Sequence, residues 1–103
     1  MGVDVLLVRR GKKRPILVEE VVADPQDIFS EACVTSCTPM LGRVKPYGSL
    51  VLTADEMSQF ISEVEGVVRG LGSTVDRQVF DDVLRVARTC AADRATELHL
   101  EGD

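Results

Sequence analysis

Residues 43–72 read RVKPYGSLVLTADEMSQFISEVEGVVRGLG, and this stretch decides the fold. Lys45-Pro46-Tyr47-Gly48 has turn chemistry, with proline fixing φ at the second position and glycine suiting the fourth. Ser49-Leu50-Val51-Leu52 is apolar and bounded by turn residues, which predicts a short buried strand. Thr53-Ala54-Asp55-Glu56 is a capping box. The Thr53 hydroxyl can accept from the Glu56 amide, and the Glu56 carboxylate can accept from the Thr53 amide. Met57, Phe60, Ile61, Val64, Val67, Val68 and Leu71 follow at spacings of three and four, one apolar stripe on one helix face. Gly70 and Gly72 mark the helix end.

Toward the amino terminus, Val5 to Val8 is apolar without alternation, which predicts a central strand covered on both faces. Ile16 to Val18 is a second apolar segment, and the two are expected to form a hairpin. Its tip is a basic loop, Arg9, Arg10, Lys12, Lys13 and Arg14, interrupted by Gly11. Asp24 is a good helix N-cap, Pro25 suits the first helical position, and Asp27 complements the helix dipole. Ile28, Phe29, Ala32, Cys33 and Cys37 recur at helical spacing until Thr38-Pro39 ends the run. Toward the carboxyl terminus, Ser73 or Thr74 can cap a helix carrying Val79, Phe80, Val83, Leu84, Val86, Ala87, Cys90 and Ala91 on one broad face. A connection of two or three residues predicts an antiparallel helix hairpin. Glu97-Leu98-His99-Leu100-Glu101 alternates cleanly and predicts a strand with one wet face.

The expected architecture is a single α+β domain spanning residues 1–103. It has a small three- or four-stranded sheet and about three helices packed mainly on one face, near residues 25–37, 54–70 and 74–94. The last strand is expected to pair with the first.

The chain of 103 residues carries net charge −5, unevenly spread. Five of its 12 basic residues fall between Arg9 and Arg14, which leaves seven against 17 acidic residues elsewhere, a net −10. An acidic body of this kind repels phosphate and argues against general nucleic-acid binding. No apolar run reaches membrane-spanning length and no signal peptide is read. Three cysteines without a disulfide pattern fit a reducing cytoplasm.

No catalytic constellation or cofactor motif stands out. Cys33 and Cys37 share the i,i+4 spacing of metal ligands, but only Cys90 and the single histidine, His99, remain to complete a zinc site. A catalytic Cys–His pair would need His99, which the alternation places on the wet face. All three thiols are expected to be reduced, mostly buried and free of metal. Gly66, Gly70 and Gly72 do not form a phosphate loop, and Gly66 inside a helix suggests close approach of another backbone.

Arg43-Val44-Lys45-Pro46-Tyr47-Gly48, followed by strand and capped helix, resembles small bacterial proteins with an R-x-x-PYG core. The resemblance covers about half the chain and implies no activity. Small acidic one-domain chains are also similar in general character to immunity proteins of toxin systems. The favoured expectation is a non-enzymatic module that binds another protein, a basic toxin among the candidates. Its docking residues would be Glu19, Glu20, Asp24, Asp27 and Glu31, with Tyr47 as an exposed aromatic anchor. The plainer readings are a solvated acidic face and a ring that covers a neighbouring loop. Alternatives are a nucleic-acid regulator using the basic loop, an enzyme or small-ligand protein with a site assembled only in the fold, and a homo-oligomeric structural role.

Overall fold

The computed structural model describes residues 2–11, 17–45, 47–72 and 77–102. Strands β1 (Val3–Arg9), β2 (Leu17–Val22), β3 (Ser49–Thr53) and β4 (Thr96–Gly102) form one sheet. Helices α1 (Ile28–Thr35), α2 (Met57–Arg69) and α3 (Gln78–Ala91) complete the α+β fold. The sheet order is β2-β1-β4-β3, and every neighbouring pair is antiparallel. The last strand therefore lies in the middle, against the first.

The register aligns one apolar row across the sheet: Val22, Val5, Leu100 and Leu50. Leu7, Leu98 and Leu52 form a second row beside it. These side chains meet Met57, Phe60 and Val64 of α2, Phe80, Val83, Val86, Ala87 and Cys90 of α3, and Phe29 and Cys33 of α1 in one core. Phe29 and Phe80 pack edge to face, with ring centroids 6.1 Å apart. Burial follows the helix stripes because positions three and four apart share a face.

The Thr53 box is present, with the Thr53 amide donating to the Glu56 carboxylate at 3.0 Å. It opens a 3-10 turn, Ala54–Glu56, which runs into α2. The amide of Gly48 donates to the carbonyl of Lys45 at 3.2 Å, closing the turn there. Pro46 lies outside the described residues. Gly48 is tied to the sheet, where the Gly102 amide donates to its carbonyl at 2.7 Å.

Several expectations are corrected. The first helix begins at Ile28, because Asp27 sits in the left-handed region at φ 58° and cannot continue a helix back to Pro25. Asp24 caps it from a distance. Its carboxylate accepts from the amides of Phe29 at 3.0 Å and Ser30 at 2.9 Å. The same carboxylate takes the Val3 amide at 3.4 Å, fastening α1 to the start of β1. Gly2 is required here, since a Cβ would lie 2.1 Å from the Asp24 carbonyl oxygen.

The second strand runs on through Glu19 and Glu20 to Val22. Residues 70–77 separate α2 from α3, a longer link than two or three residues. The capping residues Ser73 and Thr74 lie outside the described part. Gly66 is not pressed by another backbone. The nearest atom to a Cβ there would be Arg69 Nη2 at 3.8 Å.

Glu63 was not singled out by its sequence context. It is buried on α2, and its carboxylate accepts from the amides of Met40 and Leu41, both at 3.0 Å, and from Gln59. Those amides start the 3-10 turn Leu41–Arg43, so a single carboxylate pins the loop before β3 onto α2. Burial works to raise this carboxyl group. Hydrogen bonds from the Leu41 amide, the Gln59 and Thr38 side chains and the Met40 amide outweigh it and hold the group below the ordinary glutamate value.

Two predictions follow from these anchors. Thr53→Ala should cost about 1 kcal/mol in chemical denaturation, with helix content retained. For Glu63, the lowered folded value means its stabilisation is complete above the ordinary glutamate range and lost as pH falls through the lowered value. Denaturation midpoints measured from neutral to acid pH should therefore fall more steeply for the native chain than for Glu63→Gln.

Candidate interaction surface

The acidic stretch that looked continuous in sequence is taken apart by the fold. Glu19 pairs with Arg9, and Glu20 on β2 reaches Arg85 on α3. Asp24 is buried and committed to three backbone amides, so it is removed from any docking surface. Asp27 is half-buried at the helix entry, where its carbonyl receives the Glu31 amide at 3.0 Å. Glu31 alone among the five is exposed on a helix. A strand, a loop and a helix thus point these carboxylates in different directions.

The basic loop is divided as well. Arg9 binds Glu19 and Asp93, the latter at 2.7 Å, and Arg10 approaches Glu97 at 3.9 Å. The Arg9 guanidinium is held above its ordinary value chiefly by Glu19, then by Asp93. Lys12, Lys13 and Arg14 lie outside the described residues. Tyr47 is 68% exposed, so most of its surface faces solvent.

The second face of the sheet was missed as a unit. In cross-strand register it reads Asp4, Glu101, Ser49, then Val21, Leu6, His99, Val51, then Val18, Val8, Glu97, Thr53. None of these residues belongs to the helix-packed core. Val21 is 54% exposed and Val18 and Val51 are each 45% exposed. The expectation that Val5 to Val8 would be covered on both faces is corrected here. Val8 is buried, but Leu6 is only half-buried and no helix among the described residues packs over it.

His99 occupies the centre of this face. Its Nε2 lies 3.4 Å from Glu97 and its Nδ1 lies 3.9 Å from Glu101, both on its own strand. The signal in the sequence was the lack of alternation in β1 together with Val51 and Val21 on the edge strands. It becomes visible only once the register is known.

Cys33 and Cys90 lie in the core on the opposite side of the sheet from His99, and Cys37 is exposed. The expectation of three mostly buried thiols is corrected at Cys37, because α1 stops at Thr35, before its apolar face would reach that residue. Burial first, then the nearby Asp24 charge, pushes the Cys33 thiol up to about 12, and burial also raises Cys90. Among the described residues, no three His, Cys, Asp or Glu side chains are placed to share a metal ion.

An open groove of about 750 Å³ runs between α1 and the end of α2, floored by Ile28, Ala32, Val67 and Leu71. Its polar rim is Gln26, Glu31, Thr35 and Ser36, with no cation among the lining residues. Among the described residues, every buried side-chain nitrogen or oxygen has a hydrogen-bond partner.

A thiol-reactive chromophore should label one cysteine rapidly in the folded protein, Cys37, and all three after denaturation. Cys37→Ser should remove the fast phase. A second fast thiol would contradict the burial of Cys33 and Cys90. No protein-family model, no curated protein and no solved structure matches the chain.

Proposed function

We propose that the chain is a non-enzymatic module that binds a basic protein, the relation an immunity or inhibitor protein has to a basic toxin. We place it in the cytoplasm, a reading supported by three free thiols. The observation that carries the proposal is an exposed surface combining apolar side chains with excess carboxylate, on a chain of net charge −5. Protein interfaces draw on apolar contact for affinity and on complementary charge for steering and selectivity.

The nucleic-acid alternative loses support from the ion pairs of Arg9 and Arg10. Guanidinium groups already bound to carboxylates release fewer counterions on meeting phosphate.

Native purification from the source organism tests the reading. The expected result is one stoichiometric basic protein whose Kd, measured with purified components, rises steeply as salt is added. Duplex DNA and RNA should not bind even at low salt. Recovery of the chain with no stoichiometric protein, or tight nucleic-acid binding, would overturn it.

A further inference from the structure

Building on the basic-partner reading, we propose that the sheet face opposite the helix-packed core is the docking surface. Its occupant is an apolar ridge flanked by lysine or arginine on a different protein. A row crosses all four strands, Val21, Leu6, His99 and Val51, apolar except at His99, with Val18 beside it. At ordinary strand spacing this row is about 14 Å long, enough to seat one strand or one helix face. The outer members are roughly half exposed in the isolated chain, so covering them is favourable.

Charge selects the occupant. Asp4 and Glu101 stand directly opposite each other across β1 and β4 on one flank of the stripe. Like charges opposed in this way cost stability, and among the described residues neither carboxylate meets a lysine or arginine. Glu97 lies on the other flank, with Arg10 at 3.9 Å and His99 at 3.4 Å. Among the described residues the face thus presents three carboxylates to one guanidinium, with His99 between Glu97 and Glu101. A cationic partner relieves the Asp4–Glu101 repulsion as it covers the valines.

A second copy of the chain does not. In a two-fold interface the same patch faces itself, which would bring two such acidic flanks into one dry layer.

The test uses two short capped peptides in which valine alternates with lysine or with glutamate. Each is titrated into the labelled full chain while its amide NMR signals are followed. The lysine peptide is expected to move Leu6, Val21, His99 and Val51, and the glutamate peptide to leave them in place. Asp4→Lys and Val51→Lys, both at exposed positions, should each weaken the lysine peptide about tenfold. Glu31→Lys on α1 should leave its affinity unchanged.

Lysine-peptide shifts confined to the helices would overturn this surface and leave the basic-partner reading standing. Equal response to both peptides, or none to either, would overturn the assignment, and the basic-partner reading would then rest on native purification alone. Movement of the same four amides on simple concentration of the chain would identify a second copy as the occupant and overturn it too.

Discussion

The pairing of β1 with β4 is the interaction on which everything else hangs. Seven residue pairs join them, from Val3 with Gly102 to Arg9 with Thr96. Both strands are flanked on both sides, so no backbone edge is exposed at the centre of the sheet. Val3, Val5, Leu7, Leu98 and Leu100 form the floor on which all three helices pack. The approach to this pair is controlled at both ends. Asp24 holds the entry to β1, and the buried Thr96 hydroxyl, donating to the Asp93 carbonyl at 2.6 Å, holds the turn from α3 into β4. Remove the central pairing and the sheet divides into two separate pairs, β2 with β1 and β4 with β3.

Local chemistry was legible in the sequence; distant partners were not. The step from β3 through Thr53 and Glu56 into α2 could be read because each contact spans three residues. The helix stripes could be read because they repeat every turn. The entry to α1 could not, since Asp24 caps amides five and six residues ahead through an intervening left-handed residue. Glu63 holds amides more than twenty residues away, and its sequence context is that of any solvated helix position. The extension of β2 was obscured for the same reason. Glu19 and Glu20 read equally as strand end or loop until Arg9 and Arg85 arrive from other elements.

The candidate surface shows the same division more sharply. A run of carboxylates in sequence suggested a single acidic patch, but a strand alternates its side chains and a helix rotates them. The fold therefore scatters the run and gathers a different set, Asp4, Glu97 and Glu101, from two strands more than ninety residues apart. Pleat and register, not proximity along the chain, decide which charges act together.

The central position of β4 also has a meaning during synthesis. Strands β1, β2 and β3 and helix α2 are all synthesised before residues 96–102. Until then β1 and β3 each offer an open edge toward the gap that β4 will fill, and Val3, Val5 and Leu7 lack their final neighbour. Such edges template pairing with other chains. Until the closing strand is added, the most apolar strand of the nascent polypeptide therefore lacks the neighbour that covers its edge.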